Sequence, residues 1–248
     1  MTVRLSPGAA PGAAPALTRG AAGVTRRAPT LAERVDGAFR DFVGAPRFPC
    51  LAAKGTVRQR GYRLGVYGAF GSADSAVALA RDLAAFVRAP ASAGARLTAF
   101  VAVFPGRTPA SERAFERRLW AQLQHLHECD DPAAGWDPRV SADPEEPSFA
   151  FSFAGRAFYV VGLHPRSSRL ARRFRWCALV FNPHAQFERL RAEGHFARLR
   201  ALIRAREVAL QGSFNPSLAD FGERSEARQY SGRATEAEWR CPFHPRSP

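Results

Sequence analysis

The chain is 248 residues long, 46% hydrophobic, with 19 phenylalanines and a formal net charge of +14. That supplies one sizeable core, and no run approaches the roughly 20 uninterrupted apolar residues of a membrane span, so a soluble protein is expected. The charge suggests a polyanion partner, but every cation except Lys54 is arginine, Ile203 is the only isoleucine, and Asn182 and Asn215 are the only asparagines, which is the mark of GC-rich coding and makes nucleic-acid binding an unfavoured reading.

Residues 1–30 mix Ala, Gly and Pro with four arginines and no acid, so a disordered tail is expected before a single domain at 31–248. Leu31, Val35, Phe39 and Phe42 recur at helical spacing, and Pro46 and Pro49 end that helix. A loop with Phe48-Pro49-Cys50 follows. Residues 61–70 alternate as a strand, 74–88 form an amphipathic helix, and 96–104 read as a buried strand closed by Pro105-Gly106. A helix runs from Pro109 to about Glu128, and an acidic, Pro-rich loop spans 130–147. Strands at 149–153 and 157–163 meet at Ala154-Gly155, a hairpin signal. Residues 165–175 read as a basic helix or turn, 177–181 as a strand, and 183–209 as a long helix interrupted near Gly194. Beyond 211 the chain reads as ordered loop and short helix. Interleaved helices and strands with a hairpin predict an α+β or mixed α/β domain around a central, mostly antiparallel sheet.

Cys50, Cys129, Cys177 and Cys241 are widely spaced and form no C-x-x-C pair, so neither a disulfide framework nor a zinc ribbon is expected, and a reducing cytoplasm fits best. On the helix ending at Glu128, Phe115, Leu119, Trp120, Leu123 and Leu126 define an apolar arc that contains His127 and leaves out His125. Such an imidazole is either a hydrogen-bonded core histidine or a ligand to buried iron. His164 ends one strand and His184 follows the next. The stretch between them is long enough for a crossover between parallel strands, which would bring both imidazoles to one sheet edge, where open α/β sheets place ligands. His184 also follows Asn182-Pro183, a helix-start pair whose dipole disfavours protonation; a solvated first-turn histidine is the alternative. Between the two histidines, Ser168, Arg169, Arg172 and Arg173 offer hydroxyl and guanidinium donors. The three arginines share a face if helical, suited to two carboxylates or a phosphate; a solvated basic face is the bland reading. Near the C-terminus, Asp220, Glu223 and Glu226 lie beside Gln229 and Tyr230, where carboxylates could hold a guanidinium or neutralise nearby arginines.

These stretches resemble the YqcI/YcgG family from about residue 45 to 243. The likeness runs through Phe48-Pro49-Cys50, Leu119-Trp120 to Leu126-His127 with Asp130, Pro165 and Ser168-Arg169, then Val180-Phe181-Asn182-Pro183 with Phe187-Glu188, Leu210-Gln211-Gly212-Ser213, and Glu226 with Gln229-Tyr230. LHPRSSRLARRF, LVFNPHAQFE and SEARQYSGR are similar to the guanitoxin-type branch. The resemblance implies heme b, O2 or peroxide, and N-hydroxylation of an arginine-like guanidine or an amine, with a homodimer as the family's expected assembly. It ranks His127 first as iron ligand, with His164 second and His184 after it, leaves a thiolate from Cys50 or Cys177 open, and makes Glu226, Gln229 and Tyr230 the candidate substrate-site residues. A heme sensor or carrier without turnover, or an arginine-rich nucleic-acid-binding protein, are the alternatives.

Overall fold

A computed structural model describes residues 27–89, 97–215 and 222–246. Most of the expected tail therefore lies outside the described residues, as does Asp220. The first helix, α1 (Leu31–Gly44), starts where Thr30 and Glu33 form a capping box: the Thr30 side chain takes the Glu33 N–H and the Glu33 carboxylate takes the Thr30 N–H. The Phe48-Pro49-Cys50 segment leads directly into a helix that the pattern did not announce, α2 (Leu51–Arg58), whose composition, LAAKGTVR, carries too few apolar residues to define a stripe. Strand β1 (Tyr62–Val66), helix α3 (Ala73–Arg88) and strand β2 (Ala99–Phe104) make a parallel β–α–β unit. Helix α4 (Glu112–Glu128) is capped by Ser111. The hairpin follows as β3 (Phe151–Phe153) and β4 (Arg156–Leu163), and β5 (Cys177–Pro183) completes a five-stranded sheet of order β1-β2-β5-β4-β3. The β2–β5, β5–β4 and β4–β3 pairs are antiparallel, so the sheet is mixed and mostly antiparallel. The expected long helix is two, α5 (His184–Ala192) and α6 (Phe196–Gln211), broken at Gly194 with φ +72°. A short helix α7 (Ala227–Tyr230) ends the set.

Central strand β2 is buried along its whole length, which is why AFVAVF reads as a continuous apolar run. Its odd and even residues feed two cores. Phe100, Ala102 and Phe104 pack with Leu79 and Leu83 of α3, the apolar arc of α4 and Phe243, whereas Val101 and Val103 pack with Val35, Phe39 and Val43 of α1. In the β3–β4 turn Ala154 and Gly155 both have positive φ, +50° and +69°, the geometry of a two-residue type I′ turn. A non-glycine residue is disfavoured there, and the Ala154 N–H is held by both Asp130 carboxylate oxygens at 3.1 and 2.9 Å.

One expectation about topology is overturned. Strands β4 and β5 pair antiparallel, with Leu163 opposite Ala178 and Phe158 opposite Pro183, so His164 and His184 lie at opposite ends of the sheet rather than at one edge. The connection holds only a single 3-10 turn, Leu170–Arg172. It folds back on the end of β4, through the His164 N–H to the Arg172 carbonyl at 3.0 Å, and does not carry the chain back along the sheet as a parallel crossover must. Among the described residues no helix is long and apolar enough to cross a membrane.

Candidate functional site

A cavity of about 350 Å³ opens on the α1 side of the sheet, within the size range of small-molecule sites. Its floor is the outward row of the central strands: Tyr159, Val161 and Leu163 from β4, Val180 and Asn182 from β5, and Val101 from β2. Helices α1 and α2 form one wall. The outer wall is α6, whose Phe196, Leu199, Arg200, Ile203, Arg204 and Glu207 line the space. Their spacing is that of an amphipathic helix face, yet α6 has no fully buried residue. Its apolar stripe covers a void instead of a packed core.

The polar end of the cavity is built by α5, α7 and β4. Glu226, just before α7, is 6% exposed. Its Oε1 lies 3.5 Å from His184 Nε2, and its Oε2 is buried with no hydrogen-bond partner among the described residues. Burial raises this carboxyl above its ordinary range, with the His184 imidazole opposing. His184, 4% exposed, also has Nδ1 3.7 Å from Glu188. The Tyr159 hydroxyl donates to Gln229 Oε1 at 3.1 Å, and the Asn182 amide donates to the Tyr159 carbonyl at 3.1 Å. Beneath them the half-buried Arg172 guanidinium donates to the carbonyls of Gln229 and Tyr230, both at 3.0 Å, and of Gly162 at 3.3 Å. That fastens α7, and with it Glu226, to the end of β4.

Of the candidate site residues singled out by sequence, the fold brings Glu226, Gln229, His184, Arg169, Arg172 and Cys50 to this cavity. The others are elsewhere. His127 is at the far side of α4, between Trp136 and Phe243, with Nε2 accepting the Arg246 N–H at 3.0 Å. With Asp130 on the hairpin turn, it pins the C-terminal segment. His164 is fully enclosed and stacked on Phe115 at 4.1 Å, both ring nitrogens without a partner among the described residues. Burial above all pushes its pKa down to about 4. Tyr230 also faces the core: its hydroxyl accepts the Phe151 N–H at 3.0 Å and donates to the Phe158 carbonyl at 3.2 Å.

The expected anion cradle divides as well, because the arginines do not share a helical face. Ser168 gives its N–H and hydroxyl to Glu112, both at 2.8 Å, and Arg173 donates to the Ser167 carbonyl at 2.6 Å. Arg169 pairs with Glu207 of α6 at 2.6 Å and donates to the Ser213 carbonyl at 2.6 Å, closing the outer wall. Tyr159 and Asn182 were not foreseen as site residues. Their signal was a polar group at the end of an otherwise apolar strand row.

A model of one protein family, described as the YqcI/YcgG family, matches residues 39–244. The chain belongs to the YqcI/YcgG family. Among curated relatives, the uncharacterized protein YcgG of Bacillus subtilis (strain 168) is 30% identical over 139 residues, and the match covers 54% of each chain. The chain thus spans about half the length of that relative. No solved structure matches. The YqcI/YcgG match takes in every wall of the cavity from Phe39 to Gln229.

Among the described residues no group of three or more His, Cys, Asp or Glu side chains could hold an ion, whereas a porphyrin brings its own nitrogens and asks for an apolar slot, an axial ligand and cations for its carboxylates. Phe39, Phe42, Phe48, Leu199 and Ile203 supply the first, Cys50 and His184 are the sulfur and imidazole donors on the wall, and Arg200 and Arg204 lie on the inner face of α6.

Proposed function

We propose that the chain is a heme-dependent N-oxygenase acting on a guanidine or amine nitrogen of an arginine-like substrate. The observation that carries this reading is the buried Glu226 carboxyl, one oxygen without a partner, on the wall of a mainly apolar cavity. A buried carboxylate is stabilised only by a partner with matching donors. A guanidinium offers two parallel N–H groups and would restore the ionised form that burial opposes. The resemblance of SEARQYSGR and LVFNPHAQFE to the guanitoxin-type branch supports the same substrate class.

Heme, when bound, supplies the oxygen activation. The remaining tasks fall to this chain. Glu226 accepts N–H bonds from the cationic substrate and fixes its orientation. His184 Nε2, 3.5 Å from Glu226 Oε1, helps to position that carboxyl against the cavity. Gln229, held by the Tyr159 hydroxyl, sets the position of α7 against β4. The α6 wall excludes water and so strengthens each of these polar contacts.

The test is to titrate purified protein with hemin, then supply arginine and related guanidines with O2 and a reductant, or with peroxide, and read product mass. An oxygen atom added to the guanidine is the expected result. Heme uptake without any oxygenated product from the guanidines or amines would leave a carrier or sensor; no uptake would sink the proposal.

A further inference from the structure

Resting on the heme reading, we propose that Cys50 provides the axial thiolate to the iron, in place of any of the three histidines. Cys50 is the N-cap of α2, and its Sγ accepts the Ala53 N–H at 3.4 Å. The helix start thus directs donor groups at the sulfur, the arrangement that stabilises thiolates elsewhere. Cys50 also lines the cavity between Phe48-Pro49 and Ala53, where the Glu207 carboxylate opposes a thiolate and the Arg172 guanidinium favours it. The other thiols do not qualify. Cys177 and Cys241 are buried in the core on the opposite side of the sheet, and Cys129 is exposed beyond α4.

An N-cap sulfur alone would be a structural detail. The second observation is Glu226: 6% exposed, on the wall of the same cavity, with Oε2 lacking a partner among the described residues. The cavity therefore has a sulfur donor and, separately, a carboxylate awaiting a cation. His184 is the rival donor on the same wall, with nitrogens 3.5 Å from Glu226 and 3.7 Å from Glu188, and the spectra of the hemin-loaded protein discriminate it from Cys50. The Tyr159 hydroxyl is turned to Gln229. His127 and His164 lie outside the cavity.

On coordination the Cys50 Sγ–H bond breaks, the proton leaves to solvent, and the sulfur lone pair forms the Fe–S bond with no change of oxidation state. Burial holds the free thiol's pKa above its ordinary value, and the metal overrides that by deprotonating a coordinating thiol outright. The assignment places the imidazole–carboxylate pair His184–Glu226 on the substrate side of the site.

The experiment uses the full chain loaded with hemin and reads the ferrous–carbon monoxide absorption band and the ferric electron paramagnetic resonance spectrum. Wild type should give the strongly red-shifted band and narrow g-spread of a thiolate-ligated heme. Cys50→Ser keeps an N-cap acceptor for the Ala53 N–H and so preserves α2, which a circular dichroism melt checks; it should lose the thiolate signature entirely. Cys50→His should convert the spectrum toward the imidazole type, and His184→Gln should leave the thiolate band in place. An imidazole-type spectrum in wild type, or a thiolate spectrum surviving in Cys50→Ser, overturns the assignment while leaving the oxygenase reading standing. Failure of wild type to take up hemin overturns both.

Discussion

Replacing Tyr230 with Phe separates a brace from a catalyst. The Tyr230 ring is fully buried, stacked on Trp120 at 5.6 Å, and its hydroxyl spans Phe151 and Phe158, which are register partners across the β3–β4 pair. Phenylalanine keeps the packing and removes only the oxygen. The Phe151 N–H and the Phe158 carbonyl then each lose a partner inside the core. A buried polar group left unsatisfied costs ~1–3 kcal/mol, with the carbonyl at the low end because oxygen has two lone pairs, so the variant should be ~2–4 kcal/mol less stable. For a domain of this size that lowers Tm by roughly 5–15 °C. Urea titration followed by circular dichroism gives the free energy, and turnover normalised to folded protein should match wild type. A variant with an unchanged urea midpoint and abolished turnover would refute the structural assignment.

Glu226→Gln should bind heme normally but lose guanidine affinity by ~10–100-fold, since charge-assisted hydrogen bonds contribute ~1.5–3 kcal/mol; calorimetric titration of the loaded protein with arginine checks this, and an unchanged Kd would exclude the carboxylate as the substrate contact. Gly162→Ala puts a Cβ at 2.8 Å from the Phe115 ring, Leu119 Cδ1 and the Tyr230 carbonyl oxygen; because the last is backbone, it should cost ~1–3 kcal/mol by overpacking, read as a lowered urea midpoint. Burial would raise the Asp137 carboxyl, but the Arg139 guanidinium and the N–H groups of Ala157 and Arg139 prevail and hold it at about 2. Its folded pKa is thus below the unfolded value of ~3.9, so its contribution of ~2 kcal/mol is present above that value and is lost as pH falls from ~4 toward 2. Asp137→Asn should remove that part of the acid slope in urea melts collected across this range, and an unaltered slope would contradict the assignment.

The element order was legible because local patterns carry it. Leu31, Val35, Phe39 and Phe42 announced a helix, AFVAVF a buried strand, and Ala154-Gly155 a tight turn, each through periodicity, burial or backbone preference within a few residues. The position of His127 on an apolar arc was equally readable, and the structure finds it buried there. Its partner was not readable, because periodicity says which face is covered and nothing about what covers it: Arg246 and Phe243 arrive from the chain's other end. The direction of β5 against β4 escaped for a related reason. The residues between His164 and Cys177 suffice in length for either pairing, and only the fold-back at Arg172 decides that His164 and His184 part company. Sequence similarity fixed the family and kept Glu226, Gln229 and Cys50 in view. The tertiary structure alone gathered them, with Tyr159 and Asn182, around one cavity, since Cys50 comes from the start of α2, Tyr159 from β4, Asn182 from β5 and the Glu226–Gln229 pair from α7 and its N-cap, and their nearness depends on sheet order and on how α6 closes the outer wall.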